Sequence, residues 1–478
     1  MKRAVVVALG AAIVIAHMPA LADEDEEPPL KPLEKPTEQA KPAPPRDPTL
    51  LPELMAKKRR MRDDDLADKV EGRYFTGLPL VNSDPDTGFG FGARVYMFNN
   101  GPKPDKMFEY TPYRHRVYAQ AFFTTNGYQY HTIDYDAPYF RDDPIRLRAY
   151  LAFERNIATN YFGTGGPAMD RLSFAGADRT FAKYSDYSDA IRTIRPDGTT
   201  YARNDHYIMT RPVAAASLER DFFGGIVRGL VGLSASYVKI DQWTGETVKG
   251  ADDVEVRQAP TRLELDCAAG RVVCKRGFNN ILKLGVAFDT RDFEPDPNSG
   301  VFVDLTSELS GRPLGSDFDW ARVTFSPRAY YSPFPKLSHF VVAGRLVGSV
   351  QTEDTPISSM NGLSFTDGNR DGLGGLRTVR GYKQNRFVGR VAMLANLEVR
   401  WTFYEFNIGK RQHFGLMVVP FLDVGRVFDS LDDFEFRRFR NGQGAGLRIA
   451  WNQATIIVAD YGISREGSSL YMNFNHPF

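Results

Sequence analysis

Residues 391–403 read "VAMLANLEVRWTF", and this stretch indicates the fold class of the whole chain. Apolar side chains stand at every second position from Val391, and positions between them carry Asn396, Glu398 and Arg400. A repeat of two residues is typical of a β-strand, whose successive side chains point to opposite faces of the sheet. One face of this strand is therefore predicted to be apolar and the other charged.

The same alternation recurs along much of the chain after residue 72, for example over residues 145–154, 281–291 and 299–311. Many of these runs last about ten residues, and ten residues at ~3.3 Å each, tilted, cross the ~25 Å apolar band of an outer membrane. No window of eighteen uninterrupted apolar residues exists, which excludes a bundle of membrane-spanning helices.

About sixteen segments have the character of strands, an even number as single-chain bacterial barrels require. The three longest connections, residues 161–205, 242–278 and 352–390, all fall on the side of the sheet opposite both termini. We therefore predict an all-β protein, an antiparallel transmembrane β-barrel in which every backbone group is paired. A soluble all-β exported protein is the alternative. The predicted strands are 73–82, 87–100, 114–126, 128–140, 145–160, 206–222, 226–241, 279–291, 299–311, 318–333, 338–351, 391–404, 411–428, 438–452, 454–465 and 468–478.

Composition agrees with a β-rich protein, because the 478 residues include 34 Phe, 22 Tyr and 42 Gly. The formal net charge is +1, and without Lys2 and Arg3 the chain has 58 basic against 59 acidic residues. No global electrostatic field therefore favours a nucleic-acid partner.

The first 22 residues have the pattern of an export signal. Lys2 and Arg3 precede an apolar stretch and an A-x-A site at Ala20-Leu21-Ala22, which predicts cleavage before Asp23. An exported chain with membrane-length strands is expected in the bacterial outer membrane, with the lipid bilayer as its first partner.

Residues 23–72 differ from the rest of the chain, because prolines recur there among alternating charges without apolar periodicity. We interpret this segment as a proline-rich, charged periplasmic extension. Its basic cluster at residues 57–60 is either a contact for anionic lipid or an ordinary solvated charge run. The predicted organisation is thus a signal peptide over 1–22, the extension over 23–72 and a barrel over 73–478.

Cys267 and Cys274 are the two cysteines of the chain, and in an exported protein they are predicted to form one local disulfide. Two free thiols are the alternative. The sequence Asp367-x-Asn369-x-Asp371-Gly resembles the first half of a calcium loop, but position twelve is not Glu. A turn cluster is the preferred interpretation, and no metal or other cofactor is predicted.

Three motifs occur in order in the last quarter of the chain: "VRGY" at 379–382, "NLEVRW" at 396–401 and "FLDVGRVF" at 421–428. Together they resemble the carboxyl-terminal barrel of the bacterial surface antigen superfamily, of the BamA and TamA type. The resemblance covers roughly residues 73–478. Relatives that insert or translocate proteins carry periplasmic POTRA domains before the barrel, and the proline-rich stretch before residue 73 does not have their α/β pattern.

The resemblance implies that the sixth external loop folds into the lumen and places Arg380 against Glu398 and Asp423 of the wall. Strand parity agrees, because both carboxylates stand on the polar side of their predicted strands. A guanidinium with five donors is able to bridge two carboxylates. Gly381 permits a close turn, and Tyr382 supplies a packing ring with a polar tip.

The carboxyl-terminal segment is a further predicted site, because Phe474, His476 and Phe478 continue the alternation of Leu470 and Met472. An aromatic ending of this kind resembles the signal that barrel-assembly machinery recognises for insertion of a client barrel.

The predicted function is outer-membrane protein assembly, insertion or translocation with separate client or periplasmic partners. A passive pore or structural barrel with a loop-plugged lumen is the main alternative. A barrel-embedded hydrolase is the other, but the histidines are scattered without a recognisable nucleophile, so no enzyme activity is predicted.

Overall fold

The computed structural model describes residues 69–478 apart from 85–87, 106, 293, 295, 335–338, 409–411, 452–454 and 475, together with residues 61 and 66. The predicted signal peptide and most of the predicted proline-rich extension lie outside the described residues.

Sixteen long strands form one sheet. In chain order they are β1 Arg73–Asp84, β2 Gly88–Asn99, β3 His115–Thr124, β4 Gln129–Ala137, β5 Ile145–Asn160, β6 His206–Phe222, β7 Val227–Asp241, β8 Ile281–Asp289, β9 Gly300–Ser310, β10 Trp320–Tyr331, β11 His339–Gln351, β12 Val391–Ile408, β13 Gln412–Phe428, β14 Arg440–Trp451, β15 Thr455–Ser464 and β16 Ser468–Phe474.

Each long strand pairs antiparallel with the next, from β1 through to β16. A short strand, Gly277–Phe278, extends the edge of β7. Among the described residues, no hydrogen-bonded pair joins β1 to β16, so these two strands are the edges of the sheet. The architecture confirms the predicted all-β antiparallel sheet of about sixteen strands.

The short helices and short strands lie in the connections on the long-loop side. The helices are Gly165–Ala168, Tyr184–Arg192, Arg262–Ala268 and Ile357–Met360, and the short strands are Thr199–Thr200, Thr247–Lys249, Glu255–Gln258, Gly362–Phe365 and Gly368–Asp371. Single 3-10 turns occupy Ala251–Asp253 and Arg312–Leu314 on the same side, and Phe140–Asp142 and Phe223–Gly225 in the short connections on the opposite side. Within the described part of the chain, no helix has the length and apolar character needed to cross a membrane.

The two faces of the sheet have opposite chemistry. Leu305, Val323 and Leu397 on the outer face are 47%, 48% and 46% exposed, whereas Glu308 and Arg322 on the inner face are buried and paired at 2.9 Å. This distribution is the reverse of that in a soluble protein, because lipid solvates the apolar outer side chains and the lumen holds the charges. The alternation predicted from sequence is therefore the alternation between lipid and lumen.

The long external connections build two structures. Residues 161–205 and 242–280 form a cap, in which Glu255–Gln258 pairs with both Thr199–Thr200 and Thr247–Lys249. Residues 352–390, called here the lumen loop, enter the interior and carry the hairpin Gly362–Asp371. The lumen loop contacts β5 through Arg148 and the opposite arc of the sheet through β12 to β15, so the wall surrounds it.

The last strand is shorter than predicted. β16 ends at Phe474, and His476 and Phe478 leave the lipid-facing row to become 7% and 8% exposed. Pro477 has no N–H group and cannot continue a strand ladder, which accounts for the break. The prediction that the alternation continues to residue 478 is therefore wrong, although Leu470 and Met472 do face outward.

Candidate functional site: a charged lock inside the barrel

Arg380 is the centre of the interior site and is fully buried. Its Nε and Nη2 donate to the two carboxylate oxygens of Asp423 at 2.7 and 2.8 Å, a bidentate pair. Its Nη1 donates to Glu398 Oε1 and to Asp460 Oδ2, both at 2.8 Å. Arg380 with Glu398, Asp423 and Asp460 is called the lumen lock below.

The wall supplies the three carboxylates from three different strands. Glu398 lies on β12, Asp423 on β13 and Asp460 on β15, and each side chain is on the lumen-facing parity of its strand. The structure brings together the predicted partners Glu398 and Asp423. Asp460 is not among the predicted partners of Arg380. Its neighbour Tyr461 is lipid-exposed, so the alternation along β15 places Asp460 on the lumen side.

Two further guanidiniums balance the charge of the site. Arg448 Nη2 donates to Glu398 Oε1 at 2.7 Å and to Asp460 Oδ2 at 3.2 Å, and Arg400 Nε donates to Glu398 Oε2 at 3.0 Å. Three arginines therefore meet three carboxylates, with no excess charge. Buried ions are tolerated only when they are paired and hydrogen-bonded in this way.

The strands beside the lock carry small residues that make room for the loop backbone. A Cβ atom on Gly442 of β14 would lie 1.8 Å from the carbonyl oxygen of Arg380, and one on Gly462 of β15 would lie 2.7 Å from the nitrogen of Gly381. On the other side, the ring of Phe421 lies 3.4 Å from the Arg380 guanidinium carbon. The loop thus seats in a groove that only glycine leaves open.

The rest of the Arg380-Gly381-Tyr382 motif is anchored to β15 and β16. Gly381 has a φ of 93° and donates its N–H to Tyr471 Oη at 2.9 Å, while its carbonyl accepts from Ser464 Oγ at 2.8 Å. The Tyr382 ring is buried 4.9 Å from the ring of Phe387. Gly381 therefore provides the turn and Tyr382 the packing that hold Arg380 in place.

The hairpin Gly362–Asp371 fills a second region of the lumen. Thr366 N donates to Asp304 Oδ2 at 2.9 Å, and Asn369 Nδ2 donates to Glu308 Oε1 at 3.0 Å. Asp367 of the calcium-like motif pairs with Arg370 at 3.2 Å. The motif therefore forms one strand of the hairpin that fills this part of the lumen. The described residues contain no cluster of three His, Cys, Asp or Glu side chains suited to a metal ion.

The external cap holds the two cysteines. A disulfide bond joins Cys267 to Cys274, with 5.9 Å between their Cα atoms. Cys267 lies on the helix Arg262–Ala268, and the bridge closes the chain just after that helix. The disulfide packs beside Tyr161 and Leu263 in the cap.

The carboxyl-terminal tail enters the same interior as the lock. His476 Nε2 lies 3.0 Å from Asp296 Oδ1, and the Phe478 carbonyl accepts from Arg400 Nη2 at 2.9 Å. Phe474 is the last residue of β16 and pairs with Ile457. The three residues proposed as an assembly signal are thus divided between the edge of the sheet and the lumen.

A sheet that is apolar outside, charged inside and entered by a long external loop defines an outer-membrane β-barrel of the kind that carries its own lumen loop. The chain belongs to the Omp85 superfamily, whose domain model matches residues 115–475. Residues 51–114 match a domain of unknown function, DUF5982. The protein is therefore an outer-membrane barrel protein of the Omp85 type.

Among curated proteins, the chain is similar to the outer membrane protein assembly factor BamA of Nitratidesulfovibrio vulgaris, 26% identical over 206 residues, which is 39% of this chain and 23% of that protein. Two solved structures each cover 85% of this chain. BamA from Haemophilus ducreyi lacking POTRA domains 1–3 is 13% identical with a TM-score of 0.48 over 70% of its length. CdiB from Escherichia coli is 10% identical with a TM-score of 0.49 over 63% of its length.

Proposed function

We propose that this protein is a non-enzymatic barrel for the assembly, insertion or translocation of other outer-membrane or secreted proteins, working with separate partner proteins. The carrying observation is the lumen lock, which holds a 39-residue external connection, 352–390, inside the barrel. A lumen occupied by a bonded loop does not suit free diffusion of small solutes. It suits a barrel whose interior is rearranged, or whose wall is used, when a protein client is present.

Membership in the Omp85 superfamily supports this proposal, and one similar protein is named as an assembly factor. The matched region spans about a quarter of that relative's length. We therefore assign the capture of client proteins to separate partner proteins. We propose that the predicted periplasmic extension, residues 23–72, is the part of the chain that meets them.

The passive-pore alternative is disfavoured by the same lock. A conducting pore is lined by solvated side chains around an aqueous path. In this chain Glu398, Asp423 and Asp460 have no solvent exposure, and all three accept from Arg380.

The contacts of two of the histidines do not favour the hydrolase alternative. His131 packs between the rings of Phe123 and Phe153 at 4.5 and 6.1 Å, and His476 bonds to Asp296. These contacts assign the two side chains to packing and to the lumen network.

Reconstitution of the full chain into liposomes tests the proposal. An unfolded client barrel is added on the outside, and its folding is followed by heat-dependent mobility on gels; a secreted client is followed by protease protection inside the vesicle. We expect one of the two clients to be processed faster than in empty liposomes, and Arg380→Ala to change that rate. If neither client is processed and planar bilayers show a constantly open channel, the protein is a passive pore.

The predicted role of Phe474, His476 and Phe478 concerns the protein's own insertion. We propose that these residues are read by barrel-assembly machinery before the tail docks in the lumen. Truncation after Met472 should then lower the amount of folded barrel in the outer membrane, while a Phe478→Tyr variant, which keeps the aromatic ring, retains it.

A further inference from the structure

We propose that the external loop between β13 and β14, residues 429–439, binds a phosphorylated glycolipid of the outer leaflet. Its apolar side chains enter the acyl region, and Arg437 and Arg438 pair with the lipid phosphate. The inference rests on the outer-membrane location of the barrel and is independent of which protein clients it handles.

The loop folds back over the lipid-facing side of the wall. On β13 the odd positions face the lumen, because a Cβ atom on Gly425 would meet Val379 of the lumen loop at 2.8 Å. The even positions therefore face outward, and Leu422 among them is 41% exposed. Higher on the same row, however, Arg426 and Phe428 are only 8% and 2% exposed.

The cover over these two outward side chains is the loop itself. Arg426 Nη2 donates to Glu435 Oε1 at 2.7 Å, and Arg426 Nη1 also donates to the main-chain oxygen of Arg437. The ring of Phe434 lies 5.6 Å from the ring of Phe428. Residues 434–437 are therefore held against the outer surface of the barrel and not over its mouth.

The height of this contact matches the membrane interface. On β12 the exposed aromatic residues Trp401 and Phe403 face outward near the periplasmic end, and Val391 pairs with Phe428 at the external end. Ten residues separate Trp401 from Val391, which corresponds to roughly 25 Å along the membrane normal for a tilted strand. The apolar band of an outer membrane has about this thickness, so the loop lies at the level of the outer-leaflet headgroups.

The exposed apolar side chains of the loop suit that level. Leu431 and Phe436 are 60% and 83% exposed, and Phe436 lies edge-on to Phe434 with 4.7 Å between ring centroids. Water is a poor environment for such a cluster, whereas the boundary between acyl chains and headgroups favours it.

Two neighbouring arginines at the end of the loop present their guanidiniums to the solvent. Of its four acidic residues, Asp429 accepts from Gly166 N at 3.1 Å, Asp433 from Ser430 N at 3.0 Å and Glu435 from Arg426, while Asp432 is exposed at the other end of the loop from the arginines. The side chains of Arg437 and Arg438 are exposed, and Glu435, which already pairs with Arg426, is the carboxylate that feels their charge. The planar guanidinium fork matches a phosphate group, so these two side chains complement a phosphorylated lipid beside Phe436.

Lipid retention tests the proposal. The full chain is placed in nanodiscs of phosphatidylcholine containing either lipid A or lipid A from which the phosphates have been removed, and retained lipid A is counted by native mass spectrometry. We expect Arg437→Gln and Arg438→Gln each to weaken lipid A binding roughly five-fold, the effect of one surface arginine on anionic lipid. Arg312→Gln, an exposed arginine in another external connection, is the matched control and should bind as the wild type does.

Two results would overturn the proposal: equal retention of lipid A by the double variant and the wild type, or equal binding of phosphorylated and dephosphorylated lipid A. A second measurement does not depend on the arginine variants folding. The described cysteines are both in the disulfide, so Leu431→Cys introduces one reactive thiol for a fluorescent probe. We expect quenching by lipids with a nitroxide near the headgroup, and absence of quenching in vesicles would equally contradict the proposal.

Discussion

Arg380 shows at the level of one residue why the lumen loop stays inside the barrel. Its guanidinium donates four hydrogen bonds to three carboxylates from three strands, and the ring of Phe421 covers its face. Removal of the guanidinium would leave the buried cluster with one excess negative charge. The loss of one partner from a buried ion pair costs on the order of 3 to 5 kcal/mol, less where water enters.

We therefore predict that Arg380→Ala exposes the lumen loop to external protease and lowers the yield of folded barrel. Arg380→Lys should restore the charge but not the bidentate fork, and so protect the loop only partly. The measurement is the rate of proteolysis of residues 352–390 in intact outer membranes. Double substitution with Asp423→Asn should cost less than the sum of the two single changes, because both belong to one network. Additive effects, or unchanged proteolysis in Arg380→Ala, would show that there is no lock.

Asp205 in the external cap provides a second residue-level prediction, because burial raises the pKa of its carboxyl to about 6. Its Oδ1 accepts from Tyr187 Oη at 2.6 Å, while its Oδ2 is buried without a hydrogen-bond partner. A folded-state pKa above the unfolded value of about 3.9 means that proton-linked stability is fully present below pH ~4 and is lost as pH rises through 6.

The cap should accordingly become less stable between pH 5 and pH 7.5. Asp205→Asn keeps an oxygen for Tyr187 but removes the charge, so it should stabilise the cap at pH 7.5 by on the order of 2 kcal/mol and abolish this pH dependence. Hydrogen exchange of the helix Tyr184–Arg192 measures the effect. Equal pH dependence in the wild type and the variant would contradict the assignment.

At the level of elements, the position of the lumen loop depends on glycines in strands β14 and β15. Gly442 pairs with Asp423 on one side and Ser464 on the other, so one row of the sheet joins a lock carboxylate to the Gly381 anchor. Strand glycines often mark a site where another backbone approaches closely, and here that backbone is Arg380.

We predict that Gly442→Ala displaces the lumen loop, because the new Cβ would overlap the Arg380 carbonyl. The matched control is Gly348→Ala on β11, where an added Cβ meets nothing within 4 Å. Proteolysis of the loop should rise several-fold in Gly442→Ala and remain at the wild-type rate in Gly348→Ala. An equal response in both variants would mean that the strand, and not the seat, is affected.

The first hairpin of the sheet shows that sequence families and structural units need not coincide. The unassigned domain model ends at residue 114, yet β1 and β2 lie within it and β2 pairs along its length with β3, which begins the Omp85 match. The segment 51–114 therefore contributes two strands to the same sheet.

For the whole molecule, the lock and the hairpin Gly362–Asp371 close the lumen at separate places. Gly362 and Asp371 are directly paired, so residues 363–370 are replaceable by a short Gly-Ser linker without altering the path of the loop to Arg380. We predict that this variant forms a folded, heat-modifiable barrel with several-fold higher conductance in planar bilayers. Arg380→Ala in the same assay should add to that conductance, since it releases the other part of the loop. Wild-type conductance in the hairpin variant would show that the hairpin does not obstruct the lumen.

Much of the fold was predictable from the chain alone, because the alternation of side chains is a local property of each strand. The bounds of β5 and β6 agree with the predicted 145–160 and 206–222, and the inward parity of Glu398 was evident from its neighbours. The strand after the lumen loop runs on to Ile408, past the predicted 404, and β16 stops early at Phe474. Strand ends depend on turns and on the tail, which periodicity does not describe.

The sequence by itself determined the class of protein. Apolar and charged side chains alternate with a period of two residues along the strands, so this information is present within each strand. A sheet with an apolar face toward lipid and a charged face inside is a membrane barrel. Only the tertiary structure decided which charges meet. Asp460 is 80 positions from Arg380, and Arg448 and the tail residue His476 join the same interior from other strands. Many inward carboxylates satisfy the same parity, and their choice of partner depends on how the sheet curves and where the loop descends, which no local pattern records.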